Sequence, residues 1–503
     1  MSRWGTFTWG DVKWGSSNLN TLLWAFEVDW DNDSVFDGSN EANRMTSLVV
    51  TRGRKGLVKM TGKGFEKMSI GSITATLDNH DERYDPYNTV SPLYPNIWKD
   101  RYCRIKVKNG SSGTFHDVFS GIIDDIVPIS GRDEVRITAK DGWKMLNETK
   151  VTVALQENIR IDDAIGLVLD AVNWPTLWGR SHDTARVTLD YWWADDAYAG
   201  DVIRDLVDRE IGHFYLAADG CATFKERFDD SAAVFSLTQS DFLKDFATKQ
   251  PWETKRNVVQ VLTHGIKEHA QSDLWTMQEV MRIGVDETIS ITVQYTFDNQ
   301  RLPATDVISP VIEVDYAINS QIDGEGNDLS ADFVISATPY AKTAVITITN
   351  NSGQVGYITF LKLRGNALDQ PDTTEYKKDA SGTNPERLFI VDNPWMFSVL
   401  SARGYANYMA AFLNEDNTYL TIYQEDQADH QFGVDLLDVL DVEITKKSID
   451  ALYRLGYLEH RWQSSSGQLV RTTWYLEPTR DISSYWRVGQ SKLGSETKVA
   501  YGG

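Results

Sequence analysis

Apolar and polar residues alternate with a period of two through the first 150 positions, the signature of strands that bury one face. The runs LLWAFEV, SLVVTRGRKGLV, SIGSITATLDN, YCRIKVKNG, HDVFSGIIDDIVPI and DEVRITAKDG are short and rich in β-branched residues. Gly, Asn and Asp separate them at intervals suited to a sandwich or a barrel. From about Leu155 the period lengthens. In IRIDDAIGLVLDAV, Ile161, Ala164, Ile165, Val168, Leu169 and Val172 fall on one helical face, with acids opposite. AYAGDVIRDLVDREIG repeats the pattern with Val202, Ile203, Leu206, Val207 and Ile211, and Gly212 is placed to end the helix. HFYLAADGCATFKER then reads as a hairpin around Asp219-Gly220.

Strand character returns at RNVVQVLTHG, Arg256 to Gly265. Residues from about 281 to 370 alternate throughout, in TISITVQYTF, VIEVDYAI, ADFVISATPY, KTAVITITN and VGYITFLKLRG, with DGEGND as a turn. An all-β sandwich of immunoglobulin-like size fits this stretch. SVLSARGYANYMAAFLNE predicts one helix, and YLTIYQED, DVLDVEIT, LYRLGYLEHRWQ and VRTTWYLEP predict further strands. The order is a β frame interrupted by an α/β unit and then by a sandwich. It lacks the strand–helix alternation of a doubly wound or barrel enzyme.

The length of 503 residues exceeds what one hydrophobic core serves, so several domains are expected. A net charge of −22 argues against gripping nucleic acid, which needs a basic surface to neutralise phosphates. Cys103 and Cys221 stand alone inside apolar runs and read as small core residues rather than a metal or disulfide motif. The N-terminal MSRWGTFTWG has no apolar core of a signal peptide, and no apolar run is long enough to span a bilayer. Membrane insertion by the chain itself is therefore not expected.

The densest chemistry is VDWDNDSVFDGSNEANRM, which holds Asp29, Asp31, Asp33 and Asp37. With the Val35 carbonyl, they match positions 1, 3, 5, 7 and 9 of an EF-hand-type loop. Ser34 stands where that loop wants Gly, Asn40 stands where it wants Glu, and a strand rather than a helix precedes it. Two readings remain: a strand-flanked Ca2+ loop of Asp29, Asp31, Asp33, Val35 and Asp37, or an acidic turn whose carboxylates cap local N–H groups. DYWWADDAY sets Trp192 and Trp193 beside Asp195 and Asp196, a pairing that can serve sugars, against a loop before a helix whose aromatics pack on the frame. His264 and His269 lack further ligands for zinc. No nucleophile elbow, Walker loop or His-Glu-x-x-His occurs, so no catalytic residue is assigned and the chain is not expected to be an enzyme. Trp4-Gly5, Trp9-Gly10 and Trp14-Gly15 recur every five residues; a short arm cannot bury three indoles on itself, so docking on a neighbour is expected.

Several phrases together resemble the minor tail proteins of long-tailed, siphovirus-like bacteriophages, those placed at the tail tip as baseplate hubs. They are FEVDWDNDSVFDGSNEANRM, LDNHDERYDPYNTVSPLYPNI, VFSGIIDDI, VRITAKDGWKML, VIRDLVDREIGHFYLAADGCATFKER and YRLGYLEHRWQSSSGQLVRTTWYLEP. The likeness covers about residues 20–265 and 385–480. It implies a mainly β fold with an α+β insert: two tail-tube-like β-barrel domains, a small α/β domain and an inserted β-sandwich. On that reading residues 1–18 form an aromatic arm, 19–148 the first barrel and 149–245 the α/β domain. Residues 246–280 and 385–480 make the second barrel, 281–384 the sandwich and 481–503 an extended tail. The implied role is structural: a trimer in the virion tail tip, assembled in the host bacterial cytoplasm. Its partners would be a distal tail protein, a central fibre or spike and other tip proteins, with genome DNA passing through the lumen. A hexameric distal ring and a glycan-binding or glycan-cleaving tail protein are the alternatives.

Overall fold

The structure, a computed structural model, describes residues 22–36, 40–55, 66, 68–110, 113–129, 131–227, 231–241, 246–249, 255–371, 373–380, 385–413, 418–425, 428–466, 469–479, 485–486 and 498–499. Trp4, Trp9, Trp14 and Asp37 lie outside the described residues, as does most of the expected C-terminal extension.

The N-terminal strands are β1 (Leu22–Val28), β2 (Met45–Gly53), β3 (Ser69–Asp78), β4 (Tyr102–Asn109), β5 (His116–Ile129) and β6 (Glu134–Lys140). They run antiparallel in the order β1-β4-β5-β6-β3-β2. Alternate residues such as Phe26, Leu48, Val50, Ile73, Leu77, Ile105 and Ile137 converge on one core. Both end strands feed that core, so the sheet curls. Asn40 closes the curl: its side-chain amide accepts from the Phe26 N–H (2.9 Å) and donates to the Trp24 carbonyl (3.2 Å). One side chain thereby occupies backbone groups that an edge strand would leave unpaired.

The α/β unit follows as α1 (Trp143–Glu148), β7 (Lys150–Arg160), α2 (Ile161–Ala171), β8 (Arg180–His182), β9 (Thr188–Tyr198), α3 (Ala199–Glu210), β10 (His213–Leu216) and β11 (Ala222–Lys225). All six apolar residues expected on one face of α2, including Val172 at its end, are buried. On α3, Val202, Ile203 and Leu206 are buried and Val207 is half-buried. The helix end differs from expectation. Ile211, not Gly212, takes the left-handed conformation (φ 62°), because its side chain is wanted in a second core with Val259 and Met409. DYWWADDAY is strand β9, not a loop.

The chain next lays down β12 (Phe235–Thr238), β13 (Phe246–Lys249) and β14 (Val258–Thr263). The sandwich holds β15 (Lys267–Glu268), β16 (Ser272–Thr276), β17 (Met281–Ile283), β18 (Thr288–Gln294), β19 (Ala304–Ile308), β20 (Tyr316–Asn319), β21 (Phe333–Pro339), β22 (Thr343–Asn350) and β23 (Gly356–Asp369). β23 pairs in turn with β15, β16, β17, β19 and β20, and β18-β22-β21 forms the facing sheet. Within VIEVDYAI only Tyr316 onward is strand. Asp315 is buried there in a two-pronged pair with Arg364 (2.6 and 2.8 Å), which turns the preceding residues aside.

After the sandwich come β24 (Thr374–Asp379), β25 (Leu388–Asp392), α4 (Val399–Leu413), β26 (Tyr419–Gln424), α5 (Ala428–Phe432), β27 (Val439–Ile444), β28 (Ile449–Gln463) and β29 (Val470–Pro478). β24-β14-β25 is a small sheet under α4. Residues 246–280, expected as one stretch of the second barrel, are thus distributed over three sheets: β13 in the large one, β14 here, and β15 and β16 in the sandwich.

β28-β29-β26-β13, with β27 beside β28 and β12 beside β27, is the second β unit. It continues the first through one seam, β2 against β28, from Ser47 opposite Gln463 to Gly53 opposite Tyr457. The result is a single twelve-stranded sheet. The core of the second unit runs on into that of the α/β unit, through Trp192, Trp395, Leu440 and Trp474.

Candidate functional site

The acidic loop begins where β1 ends. The Asp29 N–H is held by the Tyr102 carbonyl (2.9 Å), so the Asp29 side chain is carried inward and buried. Its carboxylate accepts from the N–H groups of Asp33 (3.1 Å) and Ser34 (2.9 Å), and Asp33 accepts from the Val35 N–H (2.8 Å). Asn32 (φ 63°) and Ser34 (φ 70°) take left-handed conformations to make this tight path. Ligand atoms of Asp29, Asp31 and Asp33 lie within 4.8 Å of one another. Burial, and then the neighbouring Asp31, raise the Asp29 pKa against the lowering effect of its backbone donors. Asp31, Asp33 and Val35 face solvent. The structure thus brings together three of the four aspartates singled out in the sequence, and uses two of them as backbone caps. Ser34, Val35 and Phe36 rim a cleft of about 400 Å³ shared with Arg104, Lys106 and Asp219 of the α/β hairpin.

A second construction stands beside it. From Asn79 the chain makes turns that step by three: the N–H groups of Glu82, Asp85, Asn88, Ser91 and Tyr94 donate to the carbonyls of Asn79, Glu82, Asp85, Asn88 and Ser91 (2.9–3.1 Å). Side chains of Asp85, Asn88 and Ser91 also accept from the N–H two residues on. These are the residue types whose short polar side chains stabilise turns. The ladder is anchored by Glu41, which is buried and takes hydrogen bonds from the Tyr84 hydroxyl, Arg83 (3.0 Å) and the Trp30 indole (3.3 Å). Burial and then the Glu41 charge hold the Tyr84 phenol well above its usual pKa.

A third cluster locks the units together. Arg52 on β2 is buried, pairs with Asp435 (2.7 Å) and donates to the Leu216 carbonyl (2.6 Å). It ties the first β unit to the second and to the α/β hairpin at once. Asp435 in turn accepts from the Ala218 N–H (2.7 Å). Nearby, buried Asp141 accepts from Gly71 N–H (2.8 Å) and Trp143 N–H (3.1 Å), and burial pushes its pKa up to about 7. His460 across the seam is pushed down to about 3, by burial and then by Arg52. These residues were not singled out from the sequence. A signal was there: Arg52 follows Leu48 and Val50 at two-residue steps, so the alternation alone points an arginine into the core.

The aromatic-acid pair falls apart as a sugar site. Trp192 is fully buried and Trp193 stands edge-on against Trp395 (5.1 Å), while Asp196 pairs with Lys150 (2.6 Å). Cys103 is buried as expected, but Cys221 is only half-buried. His264 and His269 pair with Asp392 (2.7 Å) and Asp369 (3.7 Å). No helix among the described residues is long and apolar enough to cross a membrane.

No protein-family model and no curated protein matches the chain. Among solved structures, the tail protein from Neisseria meningitidis MC58 superposes with a TM-score of 0.51 at 10% identity, covering 92% of this chain and 97% of that one. The 43 kDa tail protein of prophage MuSo2 from Shewanella oneidensis gives 0.46 at 10% identity, with 87% and 94% covered. Prophage tail protein gp18 from Listeria monocytogenes EGD-e gives 0.38 at 7%, with 87% and 96% covered. The first likeness shows that the chain shares the mainly β fold, with a small α insert, of that Neisseria tail protein.

Proposed function

We propose that the chain is a structural virion protein of a bacteriophage tail tip: a baseplate hub whose copies form a ring that continues and closes the tail tube and connects it to a central fibre or spike for DNA ejection. The seam carries this reading. One chain holds two β units edge to edge, in register from Ser47–Gln463 to Gly53–Tyr457. Three such chains supply six units in a ring, which lets a three-fold hub continue a six-fold tube. The fold shared with the Neisseria tail protein supports the reading. The work is assembly in the host cytoplasm beside a distal tail protein and other tip proteins, with no catalytic step. Quantifying the chain in purified tails tests it: three copies per tail are expected, and six would favour a hexameric distal ring.

We also propose that the acidic loop holds calcium on Asp29, Asp31 and Asp33, with the Val35 carbonyl and Asp37 as the further ligands the sequence supplies. The convergence of three carboxylates within 4.8 Å supports it, since a hard cation relieves their mutual repulsion. A hundredfold excess of calcium over its dissociation constant should then stabilise the fold by about 2.7 kcal/mol. Melting curves with calcium and with chelator, for the native chain and Asp31→Ala, check this. Equal midpoints in all four conditions would leave only the capping role.

A further inference from the structure

We propose that the β13 edge of one copy pairs with the second half of β5 in the next copy, repeating between chains the seam that β2 and β28 make within one. The two β units are built on the same plan. Taken in chain order, β1 to β6 stand in space as first, fourth, fifth, sixth, third, second. β12, β13, β26, β27, β28 and β29 stand in that same order, β12-β27-β28-β29-β26-β13. The likeness extends to detail. β5 bulges between Ile123 and Asp125, and β28 between Leu455 and Tyr457. At each bulge a left-handed residue, Asp100 (φ 66°) or Leu437 (φ 67°), donates its N–H to the strand, at the Ile123 and Leu455 carbonyls (both 2.8 Å). One difference stands: β12 runs parallel to β27, whereas β1 runs antiparallel to β4.

The repeat assigns a receiver and a donor. β28 has two halves: Ile449–Arg454 pairs with β27, and Tyr457–Gln463 takes β2 on the same side. β5, its counterpart, pairs with β4 only as far as Ile122. Beyond the bulge, Asp125–Ile129 holds β6 on one side and, among the described residues, no strand on the other. There Val127 is 43% exposed and Pro128 is exposed, whereas Leu458 and His460, at the Ile126 and Pro128 positions of β28, are buried. β13, the counterpart of β2, pairs with β26 alone among the described residues. Aligning the units through β6 and β29 sets Ala247, Thr248 and Lys249 on Val49, Val50 and Thr51. The intrachain pairs Val49–Arg461, Val50–His460 and Thr51–Glu459 then become Ala247–Ile129, Thr248–Pro128 and Lys249–Val127 between copies. Lys249 also falls diagonal to exposed Asp125, an opposite charge within reach. Until that strand arrives the β5 edge is guarded. Pro128 has no N–H to offer, and the Ile126 N–H is capped by the Asp125 carboxylate (2.9 Å). Each copy gives one β13 and receives on one β5, so the contact is head-to-tail and closes when the ring is full.

The inference rests on the proposed ring and names its interface, so its test is kept separate from the copy count. With the Ile126 N–H facing the edge, Val127 and Lys249 form a non-hydrogen-bonded pair, whose Cα atoms lie roughly 4.5 Å apart, inside the span of a disulfide. Tails are prepared with Lys249→Cys/Val127→Cys in a Cys221→Ser background, oxidised, and run on non-reducing gels. Covalent species of up to three chains, and nothing larger, are expected. Either single cysteine should stay uncross-linked, as should Lys249→Cys/Leu23→Cys, which aims at the β1 edge instead. Lys249, Val127 and Leu23 are all exposed, so the substitutions leave the cores intact. Native tails give a readout without any substitution: hydrogen exchange at Thr248 and Ile126 should slow more than about ten-fold on assembly. Three copies per tail with no cross-link, cross-linking through Leu23→Cys, or unchanged exchange would each overturn the inference and leave the ring standing. Six copies per tail would overturn both.

Discussion

The twelve-stranded frame and the inserted sandwich are both β, yet they are held by opposite means. The frame joins strands from the two ends of the chain: β2 lies against β28, some four hundred positions later, and buried Arg52 bridges to Asp435 and Leu216. The sandwich is contiguous from β15 to β23 and owns a separate core with Ile346, Ile348, Leu361 and Leu363. It hangs from the frame where Lys267 and Asp369 stand opposite each other, with Tyr191 touching Glu268 (3.2 Å). A frame built of distant segments needs specific polar locks to choose its register. A contiguous insert closes on itself and needs only a narrow neck.

The sharpest way to break that contrast is Arg52→Ala. It leaves Asp435 without its cation and the Leu216 carbonyl without its donor; Asp435 keeps solvent and the Ala218 N–H, so losing these charge-assisted bonds costs about 1.5–3 kcal/mol. The frame's melting transition should fall accordingly while hydrogen exchange in the sandwich core is unchanged. Equal loss in both regions would show them to be one cooperative unit.

A somewhat smaller effect is expected from pH, and it should appear only in the frame. Asp141, raised from 3.8 to about 7, keeps its proton longer folded than unfolded, so its contribution is full below about pH 4 and is lost as pH rises to 7. His460, lowered from 6.5 to about 3, is neutral when folded, so its contribution is full above about pH 6.5 and is lost as pH falls to 3. The two slopes oppose each other in the native chain. Asp141→Asn should therefore gain stability relative to the native chain as pH rises from 4 to 7, and His460→Gln should lose it relative to the native chain as pH rises from 3 to 6.5. Denaturant titrations across that range read both, and parallel curves for the three proteins would refute the assignment.

The smallest effect should come from removing residues 268–368 and bridging Lys267 to Asp369 with a short glycine-serine link. These two residues are already paired neighbours, so the link spans little more than one strand spacing. The frame should melt within about 1 kcal/mol of the full chain, by the usual additivity of separate units. A frame that fails to fold would mean that the sandwich core supports it.

Much of this was legible from local pattern and little of it from long-range pairing. The α2 face, the α3 face and the Asp219-Gly220 hairpin came directly from periodicity and turn chemistry, because those signals act over a few residues. The β2–β28 seam left no such trace, since strand runs look alike whichever partner they choose. Residues 246–280 illustrate it: four short strands enter three different sheets. At the acidic loop the clustering of Asp29, Asp31 and Asp33 was readable, whereas the capping of Asp33 and Ser34 by Asp29 depends on Tyr102 drawing that residue inward. Glu41 and Arg83 sit 42 positions apart and look like ordinary surface charges until the ladder folds over them.

The proposed role as a ring-forming tail-tip hub rests on the two β units joined at the β2–β28 seam. Imaging purified tails without imposed symmetry, with this chain located by density, tests it most directly. The account predicts three copies at the distal end of the tube, each placing two β units side by side in a six-unit ring. Six copies with one unit each in the ring, or copies located along the tail surface away from the tube, would contradict it.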